Sequence, residues 1–289
     1  MLTGRRWLRQ VRRDWTAGAA RWEENEPQLL HSLSAVDPFL IRALDLKPRQ
    51  RVLDFACGSG EPSLAFAPLI APGRVMGLDL SAPMLAIARR RAKLRGIRNA
   101  VFRRGDIARA LLPHRFDRVV SRYGMMFVED MPATLERLLA ALVPGGRIAL
   151  AVWGPVERNP LYRIRTEAAR PFLERPPADV ETVPGPLRLS RPGLLARLMR
   201  RAGFSAVRAQ GVQAPFVLRD EEDYFAMNFG VHGPLKALYD SLGRAGRVQL
   251  RRRVSRALRP YHDGALLRLP GFSWVVSGRR PRSASRRTK

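Results

Sequence analysis

The sequence predicts an α/β protein built on a doubly wound, mostly parallel sheet with helices on both faces. Three observations carry that expectation. Short apolar runs ending in an acid or a small polar residue recur between residues 51 and 122. Stretches with helical spacing of apolar residues alternate with them. The first run, Arg51-Val-Leu-Asp54-Phe, leads into the glycine turn Ala56-Cys57-Gly58-Ser59-Gly60, which brings backbone close to a ligand at a strand mouth.

Taken in order, Trp15, Trp22 and the run from Leu29 to Leu44 read as helices ahead of the first strand. The second strand, Gly73 to Asp79, feeds a helix over 82–95 that carries Met84, Ala88 and Ala92 on one face and most of its arginines elsewhere. Phe102-Arg-Arg-Gly105-Asp106-Ile107 ends a third strand, and Phe116 to Tyr123 forms a fourth. Asp130-Met-Pro132 starts a helix whose Leu135, Leu138, Leu139 and Leu142 fall at i, i+3, i+4 and i+7. Pro144-Gly145-Gly146 stops it, and Ile148 to Trp153 is a fifth strand. The texture then changes. Residues 154–190 are rich in proline and polar groups, with a helical stretch near Leu161–Leu173, and read as a connector or cap. A helix begins at Ser190-Arg-Pro192 and ends at Gly203; Phe204 to Leu218 reads as a sixth strand, residues 220–260 as basic helices, and Gly271 to Gly278 as a last strand. The expected division is N-terminal helices over 1–45, a binding core over 46–153, the connector over 154–190, a C-terminal completion over 191–280 with a helical lid at 220–262, and a basic tail over 281–289.

The spacing from the glycine turn to Asp79 suits an adenosine-containing cofactor. A nicotinamide dinucleotide would favour glycine or alanine where Ser63 stands, and Asp54 would repel its pyrophosphate. S-adenosylmethionine (SAM) has no diphosphate, and its ammonium group suits Asp54. Asp79 can accept both ribose hydroxyls; Asp106 and Ile107 suit the adenine amino group and ring face.

Together the elements Val-Leu-Asp54-Phe-Ala-Cys57-Gly58-Ser-Gly60, Asp79-Leu80-Ser81-Ala-Pro-Met84-Leu85 and Pro144-Gly145-Gly146 resemble the class I SAM-dependent methyltransferases, in their ubiquinone/menaquinone-methyltransferase-like branch. The resemblance covers roughly residues 15–155 in ordered motifs and extends loosely to the C-terminal Leu-Pro-Gly…Val-Val-Ser-Gly stretch. It implies a Rossmann-like seven-stranded sheet with an antiparallel last strand and a lid inserted before it. It also implies cofactor contacts at Asp54, Gly58, Gly60, Asp79, Leu80, Met84, Asp106, Ile107 and Ser121. Ala56 stands where many members carry glycine. Residues after the fourth strand should face the transferred methyl, so Arg122, Met126 and Phe127, with Trp22 from the N-terminal helices, are the expected acceptor pocket. Their plain alternatives are core packing and a structural ion pair. Tyr123 and His232 are the candidate proton acceptors; His31, His114, His262 and Glu129 have weaker claims.

The chain has 289 residues, 46% of them hydrophobic, with no apolar run long enough to span a bilayer and no secretory stretch at its start. Its one cysteine excludes an intramolecular disulfide framework, a cysteine-based zinc site and covalent cytosine C5 chemistry. Cys57 reads as a small packed residue. The formal charge of +27 is nearly all arginine. Coding bias explains arginine over lysine but not the scarcity of acids. Clusters at Arg5–Arg13, Arg89–Arg104, Arg244–Arg259 and Arg279–Lys289 would attract anionic membranes or nucleic acid. The first thirteen residues also suit a presequence, a surface anchor or a frayed end.

The expectation is a bacterial cytoplasmic SAM-dependent methyltransferase acting on a small aromatic or quinone-like acceptor, peripheral to the membrane if the basic surface acts. An RNA-directed enzyme is the first alternative, weakened for base amino groups by the lack of an Asn/Asp-Pro-Pro-aromatic segment after the fourth strand. A non-catalytic accessory protein is the second, and the intact Asp54, Asp79 and Asp106 argue against it.

Overall fold

The computed structural model describes residues 13, 15–107, 109, 110, 112, 115–173, 184–230 and 234–282. Parallel strands β1 (Arg51–Phe55), β2 (Arg74–Asp79), β3 (Ala100–Arg104), β4 (Phe116–Arg122) and β5 (Leu142–Trp153) are joined by β6 (Ser205–Gln213) and the final strand β10 (Phe272–Arg279). The order across the sheet is β3-β2-β1-β4-β5-β10-β6. The final strand runs antiparallel to both neighbours, Val275 lying opposite Ala151 on one side and Gln210 on the other. The expected seven-stranded, mostly parallel sheet is therefore the observed one.

Both faces of the central strands β1, β4 and β5 are buried, which is why these strands read as nearly continuous apolar runs. On one face Val36, Leu40 and Leu44, from the start and body of helix α2 (Asp37–Leu44), pack on Val52, Val75, Val120, Ala149 and Ala151. On the other, Leu135 and Leu138 of α5 (Met131–Ala141) and Met199 of α7 (Leu194–Arg201) join Leu53, Phe55, Val119 and Ile148. Two helices begin where capping residues predict: Ser81 accepts the Met84 N–H at the start of α4 (Ala82–Leu94), and Asp130 accepts the Ala133 N–H at the start of α5.

The remaining helices are α1 (Ala19–Ser34), the single turn α3 (Ser63–Phe66), α6 (Pro160–Ala169), α8 (Glu221–Phe229), α9 (Pro234–Ser241) and α10 (Arg244–Leu258). The sixth run is not one strand. It breaks at Ala214-Pro215, where proline has no N–H for a ladder, and Phe216–Leu218 becomes β7 of a second sheet with β8 (His262–Asp263) and β9 (Leu266–Leu269). That three-stranded sheet, ordered β7-β9-β8, was not expected from the sequence. It brackets helices α8 to α10, which occupy the stretch read as basic helices. No described helix is long and apolar enough to cross a membrane.

Candidate active site

The carboxyl edges of β1 to β4 converge on the glycine turn. Asp54, next to last in β1, is fully buried. Its Oδ2 accepts from the Ser63 hydroxyl at 2.6 Å and from the Ser63 N–H at 3.2 Å. Its Oδ1 is buried with no hydrogen-bond partner. Burial, opposed by the Ser63 hydrogen bonds and the Arg122 charge, pushes its carboxyl up to about 7. Ser63 is thus more than the residue that breaks a dinucleotide fingerprint: it holds the acid.

Gly58 and Gly60 adopt φ of 51° and 104°, open to glycine at little cost. A side chain at Gly60 would also come within 3.1 Å of the Ala88 Cβ, so this glycine sets how closely α4 approaches the turn. Asp79 ties the two together. Its Oδ2 accepts the Gly58 N–H at 2.9 Å and its Oδ1 the Ser81 N–H at 2.8 Å, while burial raises its carboxyl above the ordinary range. The Leu80 N–H adds a third backbone bond, and three bonds still leave acceptor capacity on this carboxylate. Leu80 follows it, half-buried, and its carbonyl accepts from Arg104. The Gly105 N–H donates to the Asp79 carbonyl at 2.9 Å, which brings the end of β3 and the following Asp106 alongside β2. Ile107 is buried, and its carbonyl accepts from Arg137. Cys57 packs among Leu64, Leu85 and Phe102, and burial raises its thiol well above the ordinary value.

Across the turn, Ser121 is fully buried and its Oγ has no hydrogen-bond partner. The backbone then bends sharply: Tyr123 has φ of 59° and Ala56, on the facing loop, 55°. Tyr123 lies flat on Trp153, ring centroids 4.0 Å apart, with its hydroxyl 3.0 Å from the Ser273 Oγ. Burial pushes that phenol well above its ordinary pKa, so Tyr123 keeps its proton near neutrality and is better suited to donate a hydrogen bond than to act as a base.

The N-terminal segment roofs this edge. Met84 is buried against Ala19 and Ile87, with Trp15 and Trp22 packed over them. The Trp22 Nε1 approaches the Ser59 hydroxyl at 3.4 Å, Trp22 meets Trp15 edge-on at 5.5 Å, and Trp15 meets Phe127 edge-on at 5.8 Å. Trp22 and Phe127 of the expected acceptor pocket thus share one aromatic row. The other two members do not. Met126 is fully buried in the core. Arg122 donates to both oxygens of Asp37, at 2.9 and 3.2 Å, with its side chain only 5% exposed, so it is engaged in the structural ion pair. His232 and His114 lie outside the described residues, as does the side chain of His31. His262 is exposed beside Glu221, and Glu129 lends its carbonyl to Arg188. Sequence reading missed Asp37 and Gly124, which belong to no motif, and weighed Ser63 only against a dinucleotide fingerprint.

SAM fits these residues. Asp54 offers a buried oxygen lacking a partner to a cationic ammonium, Asp79 offers spare acceptor capacity to hydroxyls, and the glycine turn leaves the backbone accessible. A strand order with its last strand reversed, carrying this set of strand-end acids, defines a class I SAM-dependent methyltransferase. Comparison with known proteins agrees. Residues 52–146 match the methyltransferase domain family. Over 181 residues, 57% of this chain and 80% of the relative, the sequence is 31% identical to the demethylmenaquinone methyltransferase of Thermus thermophilus. It is 36% identical over 107 residues, 36% of this chain, to the 2-phytyl-1,4-naphtoquinone methyltransferase of Synechococcus elongatus, spanning 46% of that protein's length. Among solved structures, the YcgJ protein of Bacillus subtilis superposes with a TM-score of 0.57 at 17% identity, covering 87% of this chain and 98% of that one. The chain belongs to the class I SAM-dependent methyltransferases, in the branch of the ubiquinone and menaquinone enzymes.

Proposed function

We propose that this enzyme methylates a small aromatic, quinol-like acceptor by in-line displacement, and that the acceptor enters beneath the aromatic row of Trp22, Trp15 and Phe127. The observation that carries this reading is the pairing of that row with two buried oxygens lacking partners, Asp54 Oδ1 and Ser121 Oγ, at the mouths of adjacent strands. Flat apolar walls favour a planar ring; of the two oxygens, Asp54 Oδ1 would take the cofactor's ammonium and Ser121 Oγ would face the reacting end. The relatives' quinone-directed names support the same acceptor class.

SAM, when bound, supplies a methyl group on a sulfonium, which leaves as a neutral thioether. The protein's share is position and dryness. Asp54 would hold the cofactor's ammonium, Asp79 its ribose hydroxyls, and Asp106 with Ile107 its adenine. Ser121 would face the reacting end. Alignment of nucleophile, methyl and sulfur under a roof that excludes water supplies several kcal/mol of the barrier reduction. Tyr123 would donate a hydrogen bond there. Helices α8 to α10 would close over the acceptor as a lid.

Transfer of labelled methyl from SAM to reduced quinones and phenols tests this. Label should enter the organic product with the native chain and vanish with Asp79→Ala. If folded, SAM-binding protein labels RNA but none of these acceptors, the acceptor assignment fails.

A further inference from the structure

Among the described residues, several buried or half-buried arginines are well supplied with oxygen acceptors. Arg122 has the Asp37 carboxylate. Arg118 donates to the carbonyls of Leu44, Asp45 and Asp117. Arg137 donates to the carbonyls of Ile107 and Ala110, and Arg188 to those of Val128 and Glu129. Arg165, on α6, is less well supplied. Its Nη1 reaches the Asn228 Oδ1 at 3.2 Å, its Nε is buried with no partner, and among the described residues no carboxylate pairs with it. Its guanidinium lies over the Tyr162 ring, 4.4 Å from the centroid. Burial pulls its pKa down, and Tyr162 and Tyr224 are the titratable groups that face it. A buried cation with so little compensation is costly unless an anion completes it. The residue as a whole is only partly buried.

Its place in the fold is equally specific. Tyr162 lies 5.3 Å from Trp153, which stacks on Tyr123 at the carboxyl end of β4. Phe216 closes on Trp153 at 5.4 Å. An aromatic path therefore runs from the reacting edge of the sheet to the unsatisfied guanidinium, between the core and α8, which carries Asn228.

We propose that Arg165 binds an anionic oxygen of the acceptor, a ring carboxylate. The proposal rests on the methyltransferase reading and narrows its acceptor class to aromatic acids. Arginine suits this task because its planar fork takes a carboxylate through two parallel bonds.

The test compares a hydroxylated naphthoate with the same hydroxylated ring lacking the carboxylate, in binding to the enzyme with S-adenosylhomocysteine present and in methyl transfer. The native enzyme should bind the acid at least tenfold more tightly. Arg165→Met should remove that preference and raise KM for the acid at least tenfold, with SAM binding and the KM of the uncharged ring unchanged; Arg165→Lys should restore part of it. Equal effects of Arg165→Met on both rings would make the residue structural and overturn the proposal. So would equal binding of the two rings to native enzyme, a comparison that needs no variant to fold. Binding is read without turnover. A preference for the acid without methyl transfer would therefore sink the acceptor reading while leaving anion recognition standing, and transfer without the preference would do the reverse.

Discussion

Ala56 and Gly124 are built against each other. Ala56 sits in the left-handed region at φ 55°, and a Cβ placed on Gly124 would come within 2.4 Å of the Ala56 Cβ and 2.7 Å of the Ser121 Oγ. The loop after β1 carries the methyl group that the loop after β4 lacks. Left-handed alanine costs about 1–2 kcal/mol, so Ala56→Gly should leave SAM binding intact and stability equal or higher. Gly124→Ala should lower stability by about 1–3 kcal/mol through overpacking and weaken SAM binding through Ser121. Combined with Ala56→Gly, it should recover part of both. Denaturant melts and SAM titrations of the three variants check this; a double variant whose changes equal the sum of the two single changes would show that the loops are not complementary.

Asp54 makes cofactor binding depend on pH. In the free protein its carboxyl stands at about 7 against an ordinary 3.8. Binding of an ammonium requires the carboxylate, so below about 7 it must expel a proton, and affinity should fall about tenfold per pH unit. Above about 8 the ligand's own amino group loses its charge. Calorimetry from pH 5 to 9 should therefore show an optimum between these limits, absent in Asp54→Asn. Stability should move oppositely. Between about 4 and 7 the folded state holds more protons than the unfolded chain, so the unliganded protein loses stability as pH rises through that window. Asp37, raised to about 6, adds to this trend over its own narrower range.

The Asp37–Arg122 pair is a structural clasp between α2 and β4. Removing one partner leaves the other charge buried, at a cost of roughly 3–5 kcal/mol. Asp37→Asn should lower the denaturation midpoint by that equivalent. If Arg122 instead served the acceptor, Asp37→Asn would raise the acceptor KM with little change in stability.

Asp79 should be the most exacting cofactor residue, because it also fixes the Gly58 and Ser81 N–H groups. Asp79→Ala should abolish measurable SAM and S-adenosylhomocysteine binding, and NAD should bind neither form. Retention of SAM affinity within about tenfold would move the ribose contact elsewhere.

The basic surface makes a separate prediction. Helix α10 buries Leu250, Val254 and Leu258 and turns Arg244, Val248 and Arg252 outward, with Val248 43% exposed. Anionic vesicles attract each basic residue near their surface by roughly 1 kcal/mol. Arg244→Glu with Arg252→Glu should weaken sedimentation with such vesicles at least tenfold, and raised salt should weaken the native protein likewise. Salt-insensitive or absent sedimentation would reject membrane docking.

The sheet was legible because three of its five parallel strands close on a polar residue after an apolar run: Asp54, Asp79 and Ser121 lie at the carboxyl ends of β1, β2 and β4. Contacts between motifs were not legible. Asp37 and Arg122 are 85 positions apart, and Asp37 carries the ordinary signature of a helix start. The space opposite Ala56 lies on another strand's loop, where no local pattern records it. The small sheet was hidden because β8 spans two residues and β7 three, too short for alternation to register, and β7 follows β6 almost without interruption. Arg165 was passed over because one arginine in an arginine-rich chain gives no signal until its missing partner is seen.

The small sheet has one further consequence. Because β7 and β8 both pair with β9, the stretch carrying α8 to α10 leaves and rejoins the molecule at neighbouring points. The closure cost of lengthening that stretch grows only slowly with length, while Tyr224, Leu250 and Val254 keep it packed into the main core. The segment proposed to close over the acceptor is therefore tied at both ends to one short sheet, so its two ends are held in register while its middle can vary in length.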